Sequence, residues 1–405
     1  MYNLIIYIYL LGVAIMSLFS KKVKKMWQGE RTAFNVLKEN VDPSAKYVWF
    51  HAASLGEFEQ GRPIMERLRQ SHPEYKILLT FFSPSGYEVR KNYEGADVIC
   101  YLPLDTPLNA IRFLRLVRPC MAFFIKYEFW WNYLHILKHR NIPTYSVSSI
   151  FRHEQVFFRW YAYEYRLVLK CFTHFFVQNE TSKQLLSKLG INNVSITGDT
   201  RFDRVLQIKE TSKILPIVES FKKDSKVFVA GSSWQPDEDI FIRYFNEHKD
   251  WKLIIAPHVI GEDHLQQILS KLDRKTVRYT QTTTTEVADA DCLIIDCFGL
   301  LSSIYHYGEI AYVGGGFGVG IHNVLEAAVW DVPVFFGPNN QRFQEARELL
   351  ASGGGFEITD YDTFNNIMVM FATDAAYLKD AGDKAGAYVK SRSGATESIL
   401  SFVSL

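Results

Sequence analysis

The chain has 405 residues, 48% hydrophobic and 15% aromatic, and a formal net charge of +1. That length exceeds one ordinary core and the apolar content fills two, which excludes a disordered chain and points to two domains. The balanced charge leaves no global basic field for nucleic acid, and five scattered cysteines exclude a zinc site or a secreted disulfide framework, leaving buried thiols in a reducing compartment.

Residues 3–19 carry no charge and reach roughly 25 Å as a helix, slightly short of a ~30 Å hydrocarbon core. Lys21, Lys22, Lys24 and Lys25 follow at once. A secretory signal places its charges first and a small-residue cleavage site after the apolar run; neither feature occurs here. Two readings stand: the buried first helix of a soluble domain, or a membrane anchor, spanning or lying in the interface, with everything after Lys21 kept cytoplasmic by the positive charge. The basic stretch 21–31, with Trp27 inside it, suits an anionic lipid surface or forms a solvated helix face.

Short apolar runs at 47–51, 76–80, 98–102, 121–125, 144–147, 172–177 and 194–197 then predict strands, with helical patterns at 58–69, 110–116 and 133–139. Strands alternating with helices indicate a parallel sheet covered on both faces. Around 208–225 the pattern weakens and charge rises, which predicts a linker. A second series follows at 227–230, 252–256, 276–279, 292–295, 310–313 and 332–336. The expected fold class is α/β: two Rossmann-like domains facing a cleft between the carboxyl ends of their strands, behind an N-terminal hydrophobic anchor helix. The boundaries are an anchor at 1–20, a first domain at 21–207, the linker at 208–225 and a second domain at 226–405, with a return of the last helix to the first domain left open.

His51-Ala-Ala-Ser54-Leu-Gly56-Glu57 follows a predicted strand and opens a helix. Gly56 is expected to let the backbone turn tightly, and the helix start exposes N–H groups. Glu57 is either a general base for an acceptor hydroxyl or a complement to the helix dipole, worth about 0.3–1 kcal/mol. Glu128 again lands at a strand's carboxyl end, where α/β sites form, and Trp130 and Trp131 beside it are a sugar-stacking wall or aromatic core. Gly231-Ser232-Ser233 offers backbone N–H groups and two hydroxyls to a phosphate. The run 314–326, GGGFGVGIHNVLE, is the strongest local signal. Its glycines, Gly316 and Gly318 among them, let the chain approach a ligand, a helix starting near Asn323 offers N–H donors, and Glu326 is placed for ribose hydroxyls. His258 is either a phosphate partner or structural. No P-loop occurs, and no Asp-x-Asp pair follows a strand, so no metal is expected. Leaving-group charge is then met by helix N-termini, His322, Asn323 and cations.

HAASLGE at 51–57, TFFSPSGYE at 80–88, YLPLDTP at 101–107, KYEFWWN at 126–132, GDTRFDR at 198–204, GSSWQPDED at 231–239 and HNVLEAAVWDVPVFFGP at 322–338, in that order and spacing, resemble the 3-deoxy-D-manno-octulosonic acid (Kdo) transferases of lipid A assembly. The resemblance implies a glycosyltransferase-B fold, CMP-Kdo as donor, a lipid A precursor as acceptor, and inversion at the anomeric carbon with neither cofactor nor bound metal. It also implies a bacterial inner-membrane protein with a single N-terminal anchor and cytoplasmic catalytic domains. Carried onto matching positions, it implies Glu57 as catalytic base, Glu128 on the acceptor side with Arg201 keeping a family cation, and Gly231, Ser232, Ser233, Asn323 and Glu326 around the CMP-sugar. The residue reading adds Ser54 and Gly56 beside the acceptor, and His258, Gly316, Gly318 and His322 beside the donor. Lys126 stands where the family often has Glu, Trp131 where it has Pro and Trp234 where it has His. The Arg usual between Pro257 and His258 is missing; Arg201, Arg152 and Lys126 are the cations left to replace it. Two other readings use the same features: another two-domain nucleotide-sugar enzyme, a UDP-sugar transferase or a 2-epimerase, or a membrane-tethered sugar-nucleotide binder without activity.

Overall fold

The computed structural model describes residues 2–318 and 320–403. The residues up to Arg204, rejoined by the segment from Ser393, form one compact unit, and residues 205–392 form another. Each is built on its own seven-stranded sheet.

In the first unit the strands are β1 Lys46–Ala52, β2 Tyr75–Phe81, β3 Val98–Tyr101, β4 Pro119–Ile125, β5 Thr144–Ser149, β6 His174–Val177 and β7 Val194–Ile196. They lie in the order β3-β2-β1-β4-β5-β6-β7, every neighbouring pair parallel. Parallel neighbours need crossovers, and helices supply them on both faces, so the strands are apolar along their length instead of alternating. Successive side chains feed opposite cores. Trp49, Leu78 and Phe124 pack with Phe113 and Tyr133 on one face, while Val48, Phe50 and Phe123 pack with Phe58 and Ile64 on the other. Each such side chain contributes about 1.5–3 kcal/mol by its burial. Strand order reverses at β1, with β2 and β3 to one side and β4 onward to the other. The loops leaving β1 and β4 diverge there, which is where an open α/β sheet binds ligands.

Helix α1 spans Tyr2–Met16, and α2, capped by Ser20, spans Lys21–Asn40. Fifteen residues make a helix of about 22 Å. Among the described residues no helix is long and apolar enough to cross a membrane. Of the two forms left open for an anchor at 1–20, of which Met1 lies outside the described residues, the spanning one is not supported: Ser20 starts a new helix and cuts the apolar length short. The first helix is instead pinned along one face. The Tyr2 hydroxyl donates to Asp105 at 2.7 Å, Asn132 donates to Asn3 at 2.9 Å, and Ile6 and Val13 are buried. On its opposite face Leu4, Ile8, Leu11 and Ile15 recur at helical spacing and are 51–65% exposed, followed by Leu18 and Phe19 at 79%.

The second unit repeats the plan with β8 Lys226–Ser233, β9 Trp251–Pro257, β10 Thr276–Arg278, β11 Cys292–Ile294, β12 Ile310–Val313, β13 Val334–Phe336 and β14 Gly355–Glu357. Their order is β10-β11-β9-β8-β12-β13-β14, again wholly parallel, with the reversal at β8 and β12. Phe228, Trp251, Phe335, Phe364 and Phe371 fill one of its faces. All five cysteines are free, and Cys100, Cys171 and Cys292 are buried.

One expected boundary is corrected and another, left open, is decided. Residues 208–225 are no linker: helix Pro216–Lys222 buries Val218 and Phe221 completely, and Lys222 pairs with Glu309 at 2.6 Å within the second unit. The boundary falls inside helix Arg201–Glu210. The charge along this stretch marks a solvated helix face. At the other end helix Ala395–Phe402, whose return to the first domain the sequence left open, belongs to the first unit. Asp203 accepts from the N–H groups of Gly394 and Thr396 at its start, and Ile399 joins the core beneath α3, Leu55–Ser71. Residues 404 and 405 lie outside the described residues.

Candidate functional site

In the first unit β1 runs into α3 through Ser54, whose hydroxyl accepts from the Glu57 N–H at 3.5 Å. Ser54 is thus a helix cap. Glu57, third residue of the helix, reaches back so that Oε2 accepts from the Ala53 N–H at 2.5 Å. Burial pushes the Glu57 carboxyl up to about 7 and the Glu128 carboxylate adds to this, while the Ala53 and Ser54 N–H groups and the Lys126 charge pull it down. Gly56 does not serve a tight turn, as expected from sequence. It sits inside the helix, outside the left-handed backbone region, with no atom within 4 Å of where a Cβ would stand. What it provides is open space beside Glu57.

Beyond β4, Lys126 takes a left-handed backbone, φ 60°, and leads the chain to Glu128. Glu128 Oε2 accepts from the Trp130 indole N–H at 2.7 Å and lies 3.1 Å from His51 Nε2. Trp130 is therefore a donor to Glu128, a role the sugar-stacking reading did not include. Trp131 stacks on His135 at 4.1 Å. Arg201, expected as a substrate cation, pairs internally: Nε donates to Asp199 Oδ2 at 2.9 Å. Burial alone would raise the Asp199 carboxyl, but the Arg201 charge and hydrogen bonds hold it below its usual value. Arg152, which donates to the Tyr127 hydroxyl at 3.0 Å, is exposed and has no carboxylate partner among the described residues.

In the second unit Ser232 is left-handed at φ 52°, and β8 shifts register against β9 between Gly231 and Ser233. Ser148, at the irregular end of β5, is left-handed as well. Strain of this kind at side-chain-bearing residues persists only where surrounding structure enforces it, and it clusters at functional sites. Gly314 closes on the β8 end, its N–H donating to Gly231 O at 2.9 Å. A Cβ on Gly316 would stand 2.5 Å from the Gly337 nitrogen, and one on Gly231 would meet Tyr305 and Leu301. These positions need glycine for close backbone approach. Gly318 is exposed and open; Val319 lies outside the described residues. The N–H groups of Gly316 and Phe317 have no acceptor among the described residues.

The Ser233 hydroxyl, expected at a phosphate, is fully buried and donates to Glu238 at 2.9 Å, which His264 also engages. His258 and His322 are brought together: the Trp234, His258 and His322 rings stack in series with centroids 4.6 Å and 4.5 Å apart. Burial, then the His258 charge, holds the His322 imidazole below its usual value. Asn323 caps the Leu325 N–H at 3.2 Å and donates to Glu326 at 3.1 Å, and Glu326 also accepts from Ser302 at 2.7 Å. The helix expected from Asn323 is only Leu325–Ala328, so its N-terminus is a weak resource beside the glycine loop.

Three contributors escaped the sequence reading. Asp237, 1% exposed, accepts from the Tyr312 hydroxyl at 2.6 Å, the Trp234 N–H at 2.8 Å and the Gly315 N–H at 3.0 Å, tying the β8 and β12 loops together. His51 and Thr80 sit inside apolar strands and read there as filler; the signal available was a polar residue in a run whose every neighbour is buried. Among the described residues no group of three or more His, Cys, Asp or Glu is placed to hold a metal ion.

Residues 27–204 match the family model described as 3-Deoxy-D-manno-octulosonic-acid transferase (kdotransferase). The 3-deoxy-D-manno-octulosonic acid transferase of Aquifex aeolicus is 28% identical over 330 residues, 79% of this chain and 84% of that protein. The Haemophilus influenzae protein of the same name is 26% identical over 329 residues, 77% of this chain and 75% of its own length. Among solved structures, UDP-GlcNAc 2-epimerase from Neisseria meningitidis bound to UDP-GlcNAc has a TM-score of 0.63 at 16% identity, covering 88% of this chain and 98% of that one. At that identity the likeness is one of fold: two parallel-sheet α/β units of the glycosyltransferase-B kind.

Proposed function

We propose that this chain, a relative of the Kdo transferases and a glycosyltransferase like them, moves Kdo from CMP-Kdo to a lipid A precursor of the lipid IVA type, with inversion and without a bound metal. The observation that carries the reading is Glu57: a half-buried carboxyl pushed up to about 7, at the β1–β4 reversal, with Glu128 beside it and open space at Gly56. A general base works best when its pKa lies near the working pH. Glu57 takes the proton of the acceptor hydroxyl as that oxygen bonds to the anomeric carbon. The bond from that carbon to the CMP phosphate oxygen breaks, and the bonding pair leaves with CMP as a phosphate oxyanion.

The enzyme rests, in this reading, on the cytoplasmic face of the bacterial inner membrane. The stripe Leu4, Ile8, Leu11 and Ile15 lies in the interface and Lys21, Lys22, Lys24 and Lys25 face anionic head groups. Flotation with anionic vesicles tests this: binding should be lost in an Ile8→Asp/Leu11→Asp variant, and undiminished binding would refute it.

Mass spectrometry of a tetra-acylated lipid A precursor incubated with CMP-Kdo tests the function. A product heavier by one or more Kdo units is expected. Turnover of a UDP-sugar instead, or donor binding without product, overturns the assignment.

A further inference from the structure

Trp49, Thr80, His51, Glu128 and Trp130 form a hydrogen-bonded series that ends beside Glu57. An indole nitrogen can only donate, so Trp49 Nε1–H fixes Thr80 Oγ1 as its acceptor at 2.8 Å. Thr80 has one hydroxyl hydrogen left to place. His51 Nδ1 lies 2.8 Å away and the Phe50 carbonyl 3.4 Å away, so the histidine is the better acceptor. With Nδ1 accepting, the ring hydrogen belongs on Nε2, which faces Glu128 Oε2 at 3.1 Å. The opposite tautomer could accept from the Trp130 indole N–H, 3.1 Å from Nε2, but that N–H lies closer to Glu128 Oε2, and the tautomer would set a lone pair against a carboxylate oxygen 3.1 Å away. Trp130 donates to the same oxygen at 2.7 Å. His51 is fully buried, with Phe124 and Trp130 edge-on to its ring at 5.8 Å and 6.0 Å, so it has no room to turn away.

We propose that His51 is a positioning residue of the transfer reaction: backed by Thr80, its Nε2–H holds the Glu128 carboxylate in place beside Glu57. The inference rests on Glu57 being the base. The groups facing Glu57 are Glu128 and Lys126 from the loop after β4, Tyr127 of the same loop, and the N–H groups of Ala53 and Ser54 from its own element. Of these Glu128 alone opposes ionisation by its charge. A fixed Glu128 makes Glu57 hold a proton more tightly and accept one more readily from a hydroxyl. Released from His51, Glu128 turns toward solvent, Glu57 titrates lower, and the base weakens.

The test compares His51→Phe, which keeps a ring and removes the donor, with His51→Gln, whose side-chain N–H replaces it. Two readouts are taken: the acid limb of kcat against pH, and the Glu57 titration in the free protein by carboxyl carbon NMR, assigned by difference from Glu57→Gln. In His51→Phe both midpoints should fall by about one pH unit, with donor KM unchanged, and His51→Gln should restore them. Unmoved midpoints in a folded His51→Phe protein overturn the proposal. If that variant does not fold, Thr80→Val removes the hydroxyl that fixes the His51 tautomer and must lower the NMR midpoint; an unchanged value there overturns it equally. Should no protein transfer Kdo while the NMR midpoint still shifts, the positioning role stands and the functional reading falls; transfer with an unmoved limb does the reverse.

Discussion

After β1, Ser54 caps a helix whose third residue is Glu57; after β8, Trp234 precedes a helix whose third residue is Asp237. Both acids occupy the same station, at the strand-order reversal of their own sheet, and both are raised by burial. Their partners differ. Asp237 is engaged by three donors from three places, so its carboxylate is a brace between loops. Glu57 has the Ala53 N–H on one oxygen and the Glu128 charge nearby. Station in the helix does not decide the work of an acid; the count of donors and the sign of the neighbouring charge do. In the proposed reading the first unit thus supplies the proton chemistry, while the second gathers backbone amides and imidazoles.

The largest effect that would break this contrast lies at Glu57. Glu57→Gln should cut transfer by about 10²–10⁴-fold while leaving CMP binding intact; near-normal turnover would end its role as base. In the wild type the rate should rise with pH through about 7, as Glu57 loses its proton. Stability runs the other way. A carboxyl raised from 4.5 to about 7 contributes stability present below pH 4.5 and lost as pH rises through 7. Glu57→Gln should therefore melt higher than the wild type at pH 8, by at most about 3 kcal/mol of stability, and no higher at pH 4.

Next in size is Gly316→Ala. The new Cβ must displace Gly337 backbone, at a cost of about 1–3 kcal/mol, so calorimetry with CMP should show affinity weakened tenfold or more and an unaltered acid limb. Smallest is Asp237→Asn, which swaps an acceptor for a donor against two N–H groups. A loss of about 1–2 kcal/mol in stability, with modestly weaker CMP binding and the same pH profile, is expected. A shifted acid limb in that variant would erase the distinction between brace and base.

Much of the fold was legible because a strand buried on both faces reads as an unbroken apolar run; the run at 310–313 coincides with β12. The short β14 was missed, since it begins within the glycine run 353–355 and looks like a loop. Within the site, Glu57 and Glu128 were each visible at a strand end. The internal partners of Ser233 and Arg201 were not legible, because Glu238 and Asp199 cannot be told from solvent-facing acids by sequence.

By itself the sequence determined two parallel-sheet α/β units, the acids and glycines at their strand ends, and a resemblance to the Kdo transferases, because burial patterns and loop chemistry are written locally along the chain. Only tertiary structure decided that β1 and β4 are neighbours, that Glu128 therefore stands beside Glu57 with His51 and Thr80 behind it, that the last helix returns to the first unit, and that α1 stops short of a span. Those facts depend on strand order and on which polar groups find each other across the sheet, and no local pattern encodes either.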